Sequence, residues 1–293
     1  MLQGMLAVNA FLKMPKFDGI YQALLDSARK HGIILSLVTN AAIATHIDRP
    51  EFNSELPDFV LFWDKDVKTA RLLEQRGLPV FNSADGILLC DDKSLTYLAL
   101  KRIGLPMPQT VILPMTFSNI GYTNTDFLGD IAARLGFPLV LKECFGSFGQ
   151  QVYRFDDMER LREKVISLAG TPMLAQELVT NSFGRDTRIN IVGGRIVASI
   201  LRQNRSGDFR SNVTLGGSME AYTPTQEEAQ LALLAVRELG LTFAGVDLLF
   251  GEHGPLICEV NSNAHFKTTL ECTGVNMADE IFMEIKRRIR ESS

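Results

Sequence analysis

The chain has 293 residues, of which 46% are hydrophobic and 22% are charged, an ordinary globular composition with room for two or three compact units. Its net charge of −4 provides no overall basic surface, so no nucleic-acid partner is predicted. No apolar run approaches the roughly 20 residues that cross a bilayer, so no membrane association is predicted.

The first ninety residues alternate between strand and helix patterns. The apolar start lacks a cationic region and a small-residue cleavage site, so it predicts a first strand at residues 5–8 and not a signal peptide. Apolar residues on one face predict a helix over residues 18–31, which Gly32 ends. Strands at 33–38, 58–63 and 79–81 and a helix at 67–76 follow. This alternation predicts a parallel sheet flanked by helices.

A second unit is predicted to begin near Cys90. The segment Asp91-Asp92-Lys93-Ser94 starts a helix that runs to Ile103. Strands at 110–113, 138–142, 151–155 and 172–179 and helices at 125–135 and 156–168 follow. Their order predicts a small α+β unit.

From residue 185 the pattern consists mostly of strands. Gly193-Gly194 predicts a hairpin turn between strands at 188–192 and 195–203. A helix at 225–239 begins at Thr225, a good N-cap, and Glu228 completes a capping box. Strands at 246–250 and 255–261 and a helix at 276–290 complete the predicted elements.

Three oxygen-bearing side chains lie on the last two predicted strands. Alternation places Glu259 and Asn261 on one face, and Asp247 joins them if the strands pair. Such a set suits Mg²⁺ that bridges nucleotide phosphates. Lys142 ends an apolar strand before a glycine loop at residues 145–149, which indicates a phosphate contact followed by a backbone cradle. The alternative is a solvated cluster of strand ends.

The order of these motifs carries a family resemblance. The motifs are Asp92-Lys93, Lys142 before the glycine loop, Gln176-Glu177, Asp186-x-Arg188, GDFRSN at 207–212, AGVD at 244–247 and EVN at 259–261. Together they resemble ATP-grasp ligases, most closely the RimK-type α-L-glutamate ligases, over the whole chain.

The resemblance implies a mixed α/β and α+β architecture, which is the ATP-grasp fold with an N-terminal Rossmann-like pre-ATP-grasp domain. It places that domain at residues 1–91. The central ATP-grasp subdomain with the glycine loop then spans 92–178, and the C-terminal subdomain with the metal ligands spans 179–293.

The resemblance also implies roles for individual positions. The phosphates of ATP are assigned to Lys93, Lys142, Gly146, Ser147 and Gly149, and the metal, Mg²⁺ or Mn²⁺, to Asp247, Glu259 and Asn261. Glu177 and Leu178 lead into the hinge that contacts adenine, and Asp186 holds the ribose. Arg210, Ser211 and Asn212 reach the phosphates, and Arg210 is the predicted catalytic residue because its guanidinium stays charged and offers paired donors.

The implied reaction is ligation of a carboxylate to an amine through an acyl phosphate. The implied partners are an amino acid, with L-glutamate as the family precedent, and a carboxylate acceptor on a protein C-terminus, a peptide or a small molecule. A homo-oligomer is expected because family members often assemble. The alternatives are a ligase that uses a different amino acid in a biosynthetic pathway, and an ATP-binding regulatory module without catalysis.

The sequence departs from the family after Asn261. Many relatives have a Ser-Pro-Gly turn there, whereas this chain has Ser262-Asn263-Ala264-His265-Phe266-Lys267. Because this loop lies beside the predicted metal ligands, the departure bears on which substrate the protein uses and not on ATP binding. His265 and Lys267, together with Arg188 and Arg202, are the candidate substrate contacts, and ordinary loop residues and a solvated arginine face are the alternatives.

Cysteine spacing indicates the cellular compartment, and histidine spacing indicates whether a zinc site is expected. The four cysteines (Cys90, Cys144, Cys258 and Cys272) show no paired spacing, so reduced thiols in a cytoplasmic protein are predicted. The four histidines form no ligand pair, so no zinc site is predicted.

Overall fold

The computed structural model describes residues 1–47, 56–146, 149–211 and 217–292. Two candidate site residues, Ser147 and Asn212, lie outside this part of the chain. Three sheets and the helices around them make up the described part. No helix within these ranges is long and apolar enough to cross a membrane.

The first sheet is parallel, as the alternating sequence pattern predicts. Its strands are β1 (Leu2–Val8), β2 (Ile33–Thr39), β3 (Phe59–Trp63) and β4 (Val80–Phe81), and they are arranged in the order β2-β1-β3-β4. Helices α1 (Pro15–Lys30), α2 (Asn40–His46), α3 (Val67–Gln75) and α4 (Ala84–Asp91) connect or follow the strands. Every residue of β3 is buried, which is typical of a parallel strand covered on both faces.

The second sheet is antiparallel and has the order β5-β8-β6-β7. It consists of β5 (Thr110–Ile112), β6 (Leu139–Glu143), β7 (Val152–Phe155) and β8 (Met173–Glu177), with helices α5 (Lys93–Arg102), α6 (Phe127–Leu135) and α7 (Met158–Ser167). The Asp92 side chain caps α5 by accepting hydrogen bonds from the backbone of Ser94 and Leu95. This cap fixes the start of the helix that carries Lys93.

The third sheet is also antiparallel and has the order β11-β10-β9-β12-β13. Its strands are β9 (Arg185–Val192), β10 (Arg195–Gln203), β11 (Ser218–Ala221), β12 (Phe243–Phe250) and β13 (Pro255–Asn261). A 3₁₀ turn (Thr180–Ser182) leads into it, and helices α8 (Gln226–Glu238), α9 (Lys267–Thr273) and α10 (Met277–Ser292) accompany it. The predicted capping box of Thr225 and Glu228 is present at α8.

Shared hydrophobic cores join the first sheet and helix α5 to the third sheet, whereas the second sheet packs in a core of its own. Phe282 of α10 is fully buried in a cluster that holds Leu6 of β1 and Ile20 of α1 together with Phe243 of β12. Burial of a side chain of this size stabilises the fold by about 2 kcal/mol. A second cluster joins Leu100 of α5 to the inner face of the third sheet. The division at residues 91 and 178 therefore remains a prediction, because the cores extend across it.

Asn82 ties the end of β4 to the third sheet. Its Nδ2 donates to the backbone oxygens of Phe243 at 2.9 Å and Ser262 at 3.0 Å. Its Oδ1 accepts from the backbone nitrogens of Thr242 at 2.7 Å and Phe243 at 3.1 Å. Because the amide is fully buried and every bond is satisfied, it fixes the loop after β13 relative to the first sheet.

Candidate active site

The predicted pairing of the two carboxylate-bearing strands is confirmed. In the antiparallel β12–β13 pair, Asp247 lies opposite Glu259 and Gly245 lies opposite Asn261. A register shift after Asp247 leaves Cys258 as the extra residue between the paired positions. The pairing brings the three candidate metal ligands to one end of the sheet, on the same face.

Two arginines hold the Asp247 carboxylate. The Arg188 guanidinium donates to both of its oxygens at 2.7 Å, and Arg202 Nη2 lies 2.9 Å from Oδ2. Burial alone would raise the pKa of Asp247, but the charges of Arg188 and Arg202 outweigh it and hold the pKa below its usual value. Asp247 is therefore ionised although it is only 4% exposed.

The same network continues to Asp186. Arg202 donates to its two carboxylate oxygens at 2.7 and 2.6 Å, and the Ser211 hydroxyl also donates to it. Burial tends to lower the pKa of Arg202, yet Asp247 and Asp186 raise it overall. The buried Arg202 and the half-buried Arg188 thus face two buried carboxylates, and a substrate contact through Arg202 requires exchange of at least one of these bonds.

A cleft between the second and third sheets gathers two lysines near Glu259. Lys93 Nζ lies 3.6 Å from Glu259 Oε1 and donates to the Gly146 carbonyl oxygen at 3.3 Å. Lys142 Nζ contacts Cys258 Sγ at 3.8 Å. The two ammonium groups predicted to contact phosphate therefore line the same cleft as one predicted metal ligand.

The remaining walls of this cleft are largely apolar. They include Tyr97, Met107, Leu174 and Ile257. Gln176 of β8 lines the cleft, and the next residue, Glu177, accepts through Oε1 from the backbone nitrogen of Gln109 at 2.8 Å. Leu178 follows the end of β8. Apolar walls with ammonium groups at one end can hold a ring system that carries an anionic group.

The Arg210 side chain links its own segment, residues 207–211, to Gly149 of the glycine loop. Its guanidinium donates to Asp208 through Nε at 3.0 Å and Nη2 at 2.7 Å, and through Nη1 to the Gly149 carbonyl oxygen at 2.7 Å. The hydrogen bonds to Asp208 raise the pKa of Arg210, so it remains charged. Gly149 adopts φ +70°, a conformation that favours glycine.

The loop after β13 packs tightly on β12. A Cβ on Gly245 would lie 2.7 Å from the Cβ of Ala264, so this approach requires glycine. The neighbouring His265 is partly buried, and burial, followed by the charges of Lys16 and Arg188, lowers its pKa to about 4. Its imidazole is therefore neutral at pH 7. Lys267, the first residue of α9, is exposed.

Comparison with known proteins identifies the family. The sequence profile described as the RimK-like ATP-grasp domain matches residues 90–285. The chain belongs to the RimK-like ATP-grasp family. It is accordingly an ATP-grasp carbon–nitrogen ligase.

Three relatives show how far the similarity extends. An uncharacterized protein of Mycoplasma pneumoniae is 31% identical over 271 residues, covering 90% of this chain and 92% of that protein. A Probable alpha-L-glutamate ligase of Xanthomonas euvesicatoria pv. vesicatoria is 34% identical over 226 residues, covering 76% of this chain and 74% of that protein. Human N-acetylaspartylglutamate synthase A is 34% identical over 205 residues, covering 69% of this chain and 51% of that protein. This chain thus matches about half the length of the human relative.

Solved structures confirm the ATP-grasp fold. A D-alanine–D-alanine ligase of Bacillus anthracis in complex with ATP superposes with a TM-score of 0.77 at 15% identity, covering 100% of this chain and 99% of that one. A RimK domain protein of Sphaerobacter thermophilus gives a TM-score of 0.71 at 22% identity, covering 94% and 97%.

The candidate ligands of this RimK-like protein fit a hard divalent cation. Among the described residues no group of three or more His, Cys, Asp or Glu side chains could hold a metal. The predicted set instead combines two carboxylates with the Asn261 amide, whose Nδ2 is buried without a hydrogen-bond partner in the described structure. The contacts from Arg188 and Arg202 occupy three of about four lone-pair positions on the Asp247 carboxylate, which leaves one on Oδ1. Such an oxygen-rich donor set suits Mg²⁺.

The first sheet of this RimK-like chain also contacts the loop after β13, and the contact from α1 was not among the sequence predictions. Phe17 of α1 contacts His265 edge to face, with ring centroids 5.4 Å apart, and Trp63 of β3 contacts Phe266 at 5.8 Å. Lys16 lies beside Phe17, with its Nζ 5.2 Å from the ring centroid. The available signal was the position of α1 after the carboxyl end of β1, where ligands gather in parallel sheets.

Proposed function

We propose that this ligase uses ATP and Mg²⁺ to join the amino group of L-glutamate to a carboxylate through an acyl phosphate. The observation that carries the proposal is the convergence of Lys93, Lys142 and Glu259 in one cleft, with Asp247 opposite Glu259. The relatives named α-L-glutamate ligase, N-acetylaspartylglutamate synthase A and β-citrylglutamate synthase B support glutamate as the amine.

In the proposed complex the nucleotide occupies the cleft between the second and third sheets. The adenine lies against the apolar walls beside Glu177 and Leu178. Lys93 and Lys142 meet the phosphates, next to the backbone of Gly146 and Gly149. A ribose contact through Asp186 requires displacement of the Ser211 hydroxyl or of an Arg202 bond, since both now occupy that carboxylate.

The proposed reaction needs no nucleophile from the protein. An oxygen of the acceptor carboxylate attacks the γ-phosphate, ADP leaves, the amine attacks the acyl carbon, and phosphate departs. The side chains position the reactants and neutralise their charge, which is the main source of catalysis in phosphoryl transfer. Asp247, Glu259 and Asn261 would hold Mg²⁺, which neutralises phosphate charge when bound.

Arg210 is the proposed catalytic residue. Its planar guanidinium is oriented by the two hydrogen bonds that it donates to the Asp208 carboxylate and by the one that it donates to the Gly149 carbonyl oxygen, so its direction is fixed before substrate arrives. A guanidinium held in this way offers paired N–H donors, which suit an oxyanion or a departing phosphate. Asn212 and Ser147, which lie outside the described residues, remain predicted phosphate contacts.

Several further features of the proposal rest on the family resemblance. They are the domain division at residues 1–91, 92–178 and 179–293 and assembly as a homo-oligomer. The proposed cytoplasmic location rests instead on the unpaired spacing of the four cysteines. A ligase that uses a different amino acid is the second candidate, and the replaced loop with His265 and Lys267 favours it, because this loop lies next to the proposed metal ligands. The intact set of lysines, carboxylates and Arg210 argues against a non-catalytic module.

Hydroxylamine trapping tests the proposed function. The protein is incubated with Mg²⁺-ATP, hydroxylamine and a panel of carboxylates that includes L-glutamate, N-acetylaspartate, citrate and peptides that end in glutamate. A hydroxamate on one carboxylate, with stoichiometric ADP, is the expected result, and Lys142→Met should abolish it. ATP binding without ADP or hydroxamate from any carboxylate would contradict ligation and favour the binding module.

A further inference from the structure

The Lys93 side chain lies between the glycine loop and the proposed metal site. Its backbone nitrogen donates to the Cys144 carbonyl oxygen at 3.0 Å, so the start of α5 is fixed to the segment that follows β6. Its ammonium group donates to the Gly146 carbonyl oxygen at 3.3 Å and lies 3.6 Å from Glu259 Oε1. One ammonium group is therefore shared between a proposed metal ligand and the loop that is proposed to hold phosphate.

Both carboxylates of the proposed metal site already contact cations of the protein. Asp247 pairs with Arg188 and Arg202. Glu259 pairs with Lys93. A divalent cation that arrives alone therefore meets two carboxylates whose charge is already balanced, and the protein cations beside them repel it at short range.

The two carboxylates differ in how readily their cations can leave. The contacts that Arg188 and Arg202 make with Asp247 are 2.7 to 2.9 Å long, and this carboxylate is buried. Lys93 approaches Glu259 only to 3.6 Å, which is too long for a hydrogen bond, and Glu259 is one-third exposed. A lysine ammonium group on its flexible stem can move while the backbone stays in place. Lys93 is thus the movable counter-ion of the site.

Lys142 provides a matched comparison for Lys93. Both ammonium groups line the same cleft. The Lys142 Nζ contacts the sulfur of Cys258 at 3.8 Å, and among the described residues it pairs with no carboxylate. Loss of either lysine removes one positive charge from the cleft, but only the loss of Lys93 frees Glu259.

We propose that Lys93 closes the metal site to free divalent cations and opens it when nucleotide binds, because the phosphates draw its ammonium group away from Glu259. This inference rests on the proposed function and adds an order to it, in which the metal enters with the nucleotide or after it. Freed Glu259 then acts together with Asn261 and the remaining lone pair on Asp247. Because coupling between two ligands is reciprocal, bound metal should also tighten nucleotide binding.

Binding of Mn²⁺ to the nucleotide-free protein, followed by electron paramagnetic resonance, tests this role without turnover. Lys93→Met should lower the Kd for Mn²⁺ at least about tenfold, because it removes a cation that contacts one of the ligands. Lys142→Met should lower it by less than about threefold, since it leaves the pair of Lys93 and Glu259 intact. The double variant Lys93→Met/Glu259→Ala should lose the gain. Lys93→Gln provides a second neutral variant, and circular dichroism verifies that each variant is folded.

Three outcomes would overturn the inference and leave ligase chemistry intact. They are an unchanged Kd for Mn²⁺ in both neutral variants of Lys93, an equal gain in Lys142→Met, and a gain that persists in the double variant.

The proposed function fails separately. Absence of hydroxamate with every carboxylate would overturn ligation but would leave the Mn²⁺ measurement valid. Absence of protein-bound Mn²⁺ in the wild type even with the non-hydrolysable nucleotide AMPPNP would overturn the proposed metal site, and this inference with it.

Discussion

Asp247 and Glu259 lie directly opposite each other on paired strands, yet different cations balance them. Asp247 is buried and held by Arg188 and Arg202, whereas Glu259 faces the cleft and lies 3.6 Å from Lys93. One carboxylate is therefore fixed by the fold, and the other remains one-third exposed to ligands. This asymmetry gives the two carboxylates separable effects on stability and on activity.

Glu259→Ala should reduce the rate of hydroxamate formation by at least about 100-fold. Even mutation of a residue that only hydrogen-bonds to a metal ligand lowers metal affinity or activity by about 10- to 100-fold. The free energy of unfolding should change by less than about 0.5 kcal/mol, since the side chain is partly exposed. Binding of Mn²⁺, followed by electron paramagnetic resonance, should weaken in parallel. Glu252→Ala, in the exposed β12–β13 turn, is the matched control. Full activity in the Glu259 variant would remove this residue from the metal site.

Arg202→Met should lower the free energy of unfolding by about 3 kcal/mol or more, because it leaves the buried Asp186 carboxylate without its ion-pair partner and Asp247 with Arg188 alone. Urea unfolding at pH 7 measures this change. Arg195→Met, on the same strand, is the control. The Arg195 side chain is 63% exposed and its ion pair with Glu280 is long, at 3.7 Å, so the free energy of unfolding should fall by less than about 0.5 kcal/mol. Equal stability of the two variants would show that the buried network does not stabilise the fold.

Glu284 should make stability depend on pH. Hydrogen bonds from Arg287, assisted by Arg288, lower its pKa from 4.5 to about 2 in the folded protein. The stabilisation is thus complete above about pH 4.5 and is lost as the pH falls toward 2. Because both arginines are about half exposed, Glu284→Gln should cost only about 1 kcal/mol at pH 7.

The difference between wild type and Glu284→Gln should narrow in urea unfolding as the pH is lowered from 5 to 3. Glu291→Gln is the control, because Glu291 also binds Arg287 but is 61% exposed. A difference that stays constant or widens over this range would show that Glu284 is not held ionised by its arginines.

Arg210→Lys should reduce the hydroxamate rate by about 100-fold, the typical effect of losing one positioned donor to a developing charge. An ammonium cannot donate to Asp208 and Gly149 and still present a planar fork. Arg205→Lys, an exposed residue in the same segment, should retain the wild-type rate. Equal rates in both variants would exclude a catalytic role for Arg210.

Local sequence patterns were sufficient to predict much of the fold. The helix α1, the capping box at Thr225 and the β12–β13 pairing follow from periodicity and from residue type at element ends. Short elements such as α2, with seven residues, carry too few periodic positions to be detected. They are set by tertiary packing.

The arginine network could not be predicted, because it depends on strand register. Arg188 meets Asp247 because β9 and β12 pair those two positions, and Arg202 meets Asp186 through the register of β9 and β10. β9 and β12 are remote in sequence, so no local pattern specifies their register. Within the β9–β10 hairpin, the register also depends on the bulge between Ile196 and Ala198, which brings Arg202 opposite Asp186. The same limit applies to Phe17, whose contact with His265 arises from the packing of α1 on the loop after β13.

Oxygen-isotope transfer tests the central claim most directly. The carboxylate that forms a hydroxamate is labelled with ¹⁸O on both oxygens and incubated with the protein, Mg²⁺-ATP and L-glutamate. Attack of this carboxylate on the γ-phosphate predicts one ¹⁸O atom in each inorganic phosphate released, detected by ³¹P NMR or mass spectrometry. Phosphate without ¹⁸O, alongside formation of the amide product, would contradict an acyl-phosphate route.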